Sequence, residues 1–430
     1  MLIKQNNLTI RNATVADAPQ LGIWWRDGKV MAHAGFSLGL SITDAEIENE
    51  LVTDTDETFR RLIIEVDLVR IGEMSYRNKG NYTAEIGIKI CDFSMQGKGY
   101  GTQFIRMLMD ALFGNYGYER IVLDTNLHNT RAQYVYEKIG FRKVGERNDC
   151  WKDQLGALQS AVDYEISKSE YLSNIARLWW GYVYDTYFGN DSDDVALLLD
   201  LIGSKPKSIF EVCCGTGRVL VPLAKAGHDV IGMDADEGML ARLLVKIDGL
   251  PNLKYSLANA LTTAWGNNYD VVILACNTLM NIEHREDDKA AQKMFIKKAA
   301  DALKSGGHFF VAYDIYPEPE KVFVGESKVS DGLFAGKADD MGVLGKIFNC
   351  GGLYNPATQI AVWNNHIELN MQNDIKHIIS THGHKYICTR DEVHSWLKDV
   401  GFVIVEEFGG YDRSQFTEES GQDIIWAQKV

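Results

Sequence analysis

The chain has 430 residues, 46% of them hydrophobic and 24% charged, the balance of a globular protein with room for two or three domains. A formal net charge of −15 argues against non-specific nucleic-acid binding, which draws its affinity from lysine and arginine on phosphates. Seven scattered cysteines without a Cys-x-x-Cys pair, no leader-like start and no apolar run of membrane-spanning length point to a cytoplasmic protein.

Taken in order, LTIRNAT reads as a strand and ADAPQLGIWWRD as helix, and SITDAEIENEL carries a helix N-cap signal. RLIIEVDLVRIGEMSYR and NYTAEIGIKIC follow as antiparallel strands around the turn RNKGN. Gly97, Gly99 and Gly101 then open a helix whose apolar residues Phe104, Met107, Leu108, Ala111 and Leu112 recur at helical spacing. A strand ending in a glycine-rich turn at a helix start offers backbone N–H groups and a positive dipole end to a pyrophosphate.

Gln96-Gly97-Lys98-Gly99-Tyr100-Gly101, with Thr102 behind it, resembles the Q/R-x-x-G-x-G/A acetyl-CoA loop of GNAT acyltransferases. IVLDTNLHNTRAQYVYEKIGFRKVGE is similar to the closing segment of that family, with Asn129, Ala132, Tyr136 and Gly140-Phe141 in its positions. The resemblance covers nearly all of residues 1–168 and implies an acetyl-CoA-dependent N-acetyltransferase. It implies that Tyr136 is the acid for the leaving thiolate and that Asn129 belongs to the cofactor site. It also implies backbone donors near Ile88 to Ile90 for the thioester carbonyl. Glu85, in the strand before the loop, is the base candidate, acting through water, although a strand carboxylate can equally be a solvated surface group.

From 169 onward an aromatic-rich helix carries Trp179, Trp180, Tyr182, Tyr184 and Tyr187, which either pack it onto a sheet or cover a sulfonium through cation–π contacts. Ser208 to Arg218, SIFEVCCGTGR, followed by HDVIGMD, reads as the opening βαβ unit of a doubly wound parallel sheet. The third position of a dinucleotide fingerprint counted from Gly215 and Gly217 is Leu220, not glycine, and Glu211 would repel phosphate but suits an ammonium group. This argues against a nicotinamide oxidoreductase. The stretch resembles motif I of class I S-adenosylmethionine-dependent methyltransferases, and the order of elements that follows matches that family. The resemblance implies S-adenosylmethionine as cofactor, held by Glu211, Cys213, Gly215, Gly217 and the ribose acid Asp234, with Asn259 and Asn277 at further strand tips. Cys213 and Asn259 depart from the family's usual glycine and acid.

HREDDKAAQKMFIKKAADALKSGGHFFVAYD reads as helix, glycine stop and strand. Residues from about 317 to 386 change to short alternating strands, an antiparallel insertion on the substrate side. His377, His382 and His384 alternate there as surface or hydrogen-bonding groups, so no metal site is expected, and His382, His384 and Tyr411 stand only as candidates near the methyl acceptor. The expected architecture is α/β throughout: a GNAT mixed α/β domain at 1–168, then a Rossmann-like methyltransferase domain at 169–430. The expected function is a bifunctional transferase acting on small amine-bearing metabolites or antibiotic-like compounds, the acidic charge suiting a cationic substrate such as an aminoglycoside or polyamine. The rival is a methyltransferase regulated by a non-catalytic acyl-CoA-sensing domain. No nucleic-acid or membrane partner is expected.

Overall fold

The computed structural model describes residues 1–284, 287–323, 338–339, 342–371 and 375–430. Packing divides the chain into two units, 1–174 with 370–377, and 175–369 with 378–430.

The first unit opens with the hairpin β1 (Leu2–Gln5) and β2 (Leu8–Asn12), then α1 (Ala18–Arg26), α2 (Gly28–Met31) and α3 (Asp44–Val52). Helix α3 starts where the sequence signals it. Thr43 Oγ1 accepts from the Glu46 N–H at 3.3 Å, and Glu46 Oε2 accepts from the Thr43 N–H at 2.7 Å, a reciprocal capping box. Strands β3 (Phe59–Val66), β4 (Val69–Asn78) and β5 (Thr83–Ile90) form an antiparallel meander. Then come α4 (Tyr100–Gly114), β6 (Arg120–Asn126), α5 (Thr130–Ile139), β7 (Arg142–Lys152) and β8 (Leu158–Ser167). The eight strands lie in the order β1-β2-β3-β4-β5-β6-β8-β7.

One pairing in this sheet shapes everything that follows. β5 and β6 are parallel and pair only at Thr83↔Arg120, Ala84↔Ile121 and Glu85↔Val122. Both strands continue beyond that point without each other, so residues 86–90 keep backbone hydrogen-bonding groups on the β6 side that the ladder does not use. Helix α4 buries Phe104, Ile105, Leu108, Met109 and Leu112, each contributing about 1.5–3 kcal/mol by leaving water. On the same helix Asp110 accepts a hydrogen bond from the Tyr171 hydroxyl at 2.7 Å. Burial raises the Asp110 carboxyl from the ordinary 3.8 to about 7.

Tyr171 lies on α6 (Lys168–Phe188), the helix in which the chain passes from the first unit to the second. The second unit continues with α7 (Asp193–Ile202), β9 (Ser208–Val212), α8 (Leu220–Lys225), β10 (Asp229–Asp234), α9 (Glu237–Leu244), β11 (Leu253–Leu257) and β12 (Tyr269–Leu274). Next are α10 (Asp288–Ala302), β13 (Leu303–Asp314), α11 (Pro319–Val322), β14 (Leu344–Asn355), β15 (Ile360–Met371), β16 (Ile375–Tyr386), α12 (Arg390–Asp399), β17 (Phe402–Phe408) and β18 (Gln422–Lys429). Its seven-stranded sheet has the order β11-β10-β9-β12-β13-β18-β17. The first five strands are parallel, and β18 returns antiparallel between β13 and β17. Strand order reverses beside β9, so the carboxyl ends of β9, β10 and β12 bound a crevice of the kind that binds ligands in open α/β sheets.

The glycines after α10 do interrupt the chain: Gly306 stands at φ +74°, and although Leu303 already pairs with Tyr269, regular pairing of β13 resumes only at His308. The expected insertion at 317–386 holds a separate three-stranded sheet, β14-β15-β16. Its residues 370–377 group with the first unit, while 324–337, 340–341 and 372–374 lie outside the described residues. Among the described residues no helix is long and apolar enough to cross a membrane.

Candidate functional site

The parting of β5 from β6 opens onto a cavity of about 1060 Å³ in the first unit. Ile88 and Ile90 line it from β5, and the glycine loop lines it with Gln96, Gly97, Gly99, Tyr100, Gly101 and Thr102. Gly97 and Gly99 have φ of +79° and +84°, a backbone state that a side chain would strain. A Cβ placed on Gly101 would meet nothing within 4 Å. Gly99 is the N-cap of α4 and provides no side-chain cap, so the first N–H groups of a 15-residue helix are left for a ligand.

The side chain of Gln96 serves the loop rather than the space in front of it. Its Nε2 donates to the Ile90 carbonyl at 2.8 Å, and its Oε1 accepts from Arg131 Nη1 at 2.9 Å. Asn129 lines the cavity while capping α5, its Oδ1 accepting from the Ala132 N–H at 3.3 Å. Tyr136 is buried on the cavity wall, edge-on to Phe141 and Tyr164. Burial, helped by the nearby Asp124 charge, pushes its phenol up to about 12, so the proton stays on oxygen at neutral pH.

Two sequence-predicted residues stand elsewhere. Glu85 does not line the cavity; its carboxylate lies 3.7 Å from Lys79 Nζ and 4.0 Å from Arg77 Nη1. Standing off the cavity wall, Glu85 reaches an amine there only through water. Lys98 likewise does not line the cavity. Sequence reading missed Glu73, a buried carboxylate that does line it. Its only sequence signal was an acid at an inward position of an apolar strand.

In the second unit the tip of β9 carries Glu211, buried among Arg218, Asp194 and Asp234, and burial holds its carboxyl well above the usual range. Its Oε2 has no hydrogen-bond partner, nor does Thr216 Oγ1 beside it. Cys213, Gly215 and Gly217 have φ of +57°, +53° and +75°. Gly215 faces open space, whereas a Cβ on Gly217 would sit 2.3 Å from Leu243 of α9. Cys213 is thus a side chain held in a conformation that suits glycine, at a cost of about 1–2 kcal/mol. Asp234, at the tip of β10, accepts from the Gly215 N–H at 2.7 Å and the Asp236 N–H at 2.8 Å. Burial raises its carboxyl, and its oxygens keep further lone pairs.

Asn259 is exposed, its Oδ1 accepting from the Leu261 N–H at 2.9 Å. Asn277, at φ +57°, clips β12 to the end of β13: its Nδ2 donates to Asp314 Oδ2 at 2.6 Å and its Oδ1 accepts from the Asp314 N–H at 3.0 Å. Tyr184 and Tyr411 join Arg218, Asp194 and Cys276 at this sheet edge, and burial raises both phenols. The core of that cluster, missed from sequence, is the buried pair Arg218 Nη1–Asp194 Oδ1 at 2.6 Å. Tyr187 is largely exposed and Trp179 is fully buried.

The three alternating histidines have separate partners or none: His382 Nδ1 meets Asn364 at 2.5 Å, His384 Nε2 meets Asp288 at 3.2 Å, and His377 is buried. A different group has ligand-like geometry among the described residues. His394, Glu407 and Asp423 each offer a donor atom within 4.8 Å of the others. Arg390 already lies on both carboxylates, its Nε 2.9 Å from Glu407 and 3.7 Å from Asp423, and so balances their charge.

The profile of the acetyltransferase (GNAT) domain family matches residues 7–142, and that of a methyltransferase domain family matches residues 209–307. The chain joins a GNAT acetyltransferase domain to a methyltransferase domain. Over 102 residues the chain is 32% identical to a ubiquinone biosynthesis O-methyltransferase of Ruegeria pomeroyi, covering 23% of this chain and 38% of the relative. A namesake from Acinetobacter baumannii is 31% identical over 112 residues, 25% of this chain and 44% of its own. The chain therefore spans less than half the length of these curated relatives. Similar solved structures include the CcbJ methyltransferase from Streptomyces caelestis, 21% identical over 56% of this chain and 90% of its own, TM-score 0.43. Another is the spermidine N-acetyltransferase from Vibrio cholerae in complex with CoA and spermine, 23% identical over 39% and 99%, TM-score 0.36.

A GNAT domain implies acetyl-CoA and a methyltransferase domain implies S-adenosylmethionine, and both sets of residues fit. In the GNAT domain the uncapped helix start, the open face of Gly101 and the unladdered edge of β5 match a pyrophosphate with an extended arm. In the methyltransferase domain the partnerless Glu211 Oε2 matches an ammonium group, and Asp234 has lone pairs for a ribose diol.

Proposed function

We propose that the chain is a bifunctional transferase acting on small amine-bearing compounds, transferring acetyl in one domain and methyl in the other. The observation that carries the acetyl half is the cavity on which the N-terminus of α4, the free edge of β5 and the buried Tyr136 converge. Bound acetyl-CoA supplies an activated acyl group. The α4 N-terminus and loop amides hold its phosphates, and backbone N–H groups of β5 near Ile88 to Ile90 polarise its carbonyl. Tyr136, still protonated at neutral pH, gives its proton to the leaving sulfur.

The methyl half rests on the β9 loop. S-adenosylmethionine supplies an electrophilic methyl group; Glu211 orients the donor by its ammonium and Asp234 by its ribose, and Tyr184 lies at the same edge beside Arg218 and Cys276. Methyl transfer is an in-line displacement, so these residues act by positioning. The seven unpaired cysteines support a reducing, cytoplasmic setting.

The test is mass spectrometry of an amine panel incubated with both donors. Gains of one acetyl and one methyl group are expected. Tight coenzyme A binding without acyl transfer to any amine would favour an acyl-CoA sensor instead.

A further inference from the structure

The GNAT cavity extends past the free edge of β5 to Trp25, Phe59 and Glu73. Glu73 and Lys89 are register partners on β4 and β5, and so are Ser75 and Gly87, and Arg77 and Glu85. By strand alternation all six share one face of the sheet. Gly87 leaves that face without a side chain at the middle pair, where Ser75 Oγ lies 3.1 Å from the position a Cβ would take. Of the two acids flanking it, Glu85 is drawn to Lys79 and Arg77, whereas Glu73 lies on the cavity.

Glu73 is also the rigidly held one. Both of its oxygens accept from Trp25 Nε1, each at 3.0 Å, and Oε1 accepts from Lys89 Nζ at 2.9 Å. A carboxylate has about four lone-pair sites, so Oε2 retains capacity for one more N–H donor. The other carboxylates on the cavity, Glu50 and Asp124, are about half exposed and paired with Arg61 and Arg147. The charged and titratable groups facing this end are Lys29 and His33 after α1, Glu50 on α3, Arg61 on β3 and Lys89 on β5. Arg61 additionally pairs with Asp54 at 2.8 Å and covers the Phe59 ring at 4.9 Å. Glu50 and Asp54 are both taken by Arg61, so no carboxylate besides Glu73 is left at this end for a second ammonium, and the site suits one incoming amine rather than a polycation.

We propose that Glu73 receives the proton of the acceptor amine, and that the acceptor is a monoamine on a flat apolar body seated against Trp25 and Phe59. This rests on the acetyltransferase reading and deepens it. The amine nitrogen forms a C–N bond to the thioester carbonyl carbon and passes its proton to Glu73. The C–S bond breaks, and the sulfur takes the phenolic proton of Tyr136; solvent then restores both groups.

The test compares phenethylamine with spermidine as acceptors, following thiol release in the full-length wild type, Glu73→Gln, Glu85→Gln and Lys89→Met. Phenethylamine is expected to be preferred in kcat/KM by about tenfold or more. Glu73→Gln should lower kcat by about 100-fold and abolish the acid limb of its pH profile, with coenzyme A affinity unchanged. Unchanged affinity also reports that the variant folds. Lys89→Met keeps the carboxylate and should retain kcat within about tenfold of wild type, because the proton acceptor stays in place. Glu85→Gln should stay within about threefold of wild type, a loss smaller than general-base removal gives. Preference for spermidine, or loss in Glu85→Gln with none in Glu73→Gln, would overturn the proposal while leaving the acetyltransferase reading in place. A wild type that binds coenzyme A yet acetylates no amine across a wider panel refutes both.

Discussion

The two glycine loops of this chain solve related problems with opposite chemistry. The α4 loop meets a polyanion, and it does so by having almost nothing there: two glycines at positive φ, an uncapped helix start and open space at Gly101. The β9 loop meets a cation and keeps a buried acid, Glu211, at its root. Each domain has a buried acid with a raised carboxyl, yet the two are not equivalent. Asp110 on α4 is satisfied by the Tyr171 hydroxyl, whereas one oxygen of Glu211 has no partner. The first reads as architecture and the second as a ligand contact.

The largest effect that sharpens this contrast lies in the stability of the GNAT domain against pH. The folded Asp110 carboxyl titrates near 7 against an ordinary 3.8, so the native state holds the proton more tightly than the unfolded chain. Stability is therefore full below about pH 4, declines as pH rises to about 7, and levels off above, by on the order of 4 kcal/mol. Urea unfolding of Asp110→Asn between pH 4 and 8 should lack that slope, with coenzyme A affinity intact; a slope that persists would break the assignment.

Next in size, Glu211→Gln should weaken S-adenosylmethionine by about 100-fold, roughly 3 kcal/mol, in a calorimetric titration. Its melting temperature should not fall, since an uncompensated buried acid is removed. Equal donor affinity in the variant would return Glu211 to architecture. Gly99→Ala should cost about 1–2 kcal/mol of stability through its left-handed backbone, and coenzyme A affinity should drop with it. The smallest effect runs the other way. Cys213→Gly should raise stability by less than about 1 kcal/mol and retain S-adenosylmethionine binding, because glycine relaxes φ +57°.

Much of both domains was legible because glycine turns and alternating strands leave local marks. The loop Gln96 to Gly101 and the strand–loop–strand from Ser208 to Asp234 each declare their shape through residues close in sequence. What was not legible depends on partners far along the chain. Nothing local distinguishes Glu85 from Glu73, which share one face of the sheet; the choice follows from Lys79, Arg77 and Trp25 and from how far along that face the cavity reaches. Asn277 reads as a strand-tip ligand residue, yet both ends of its amide are engaged by Asp314. The Arg218–Asp194 pair and the group of His394, Glu407 and Asp423 are assembled by topology alone.

The hydroxyl that satisfies Asp110 is supplied from beyond the natural-looking seam of the chain. Tyr171 follows the last strand of the GNAT sheet, on a helix that runs on as far as Phe188. A gene split or an excised fragment ending at residue 168 would keep every strand of that sheet and still strand a carboxyl in its interior. One continuous helix thus serves both units, its first residues completing the GNAT domain. A cut after 174 keeps that hydroxyl with its carboxyl, but it gives up residues 370–377, which group with the same unit.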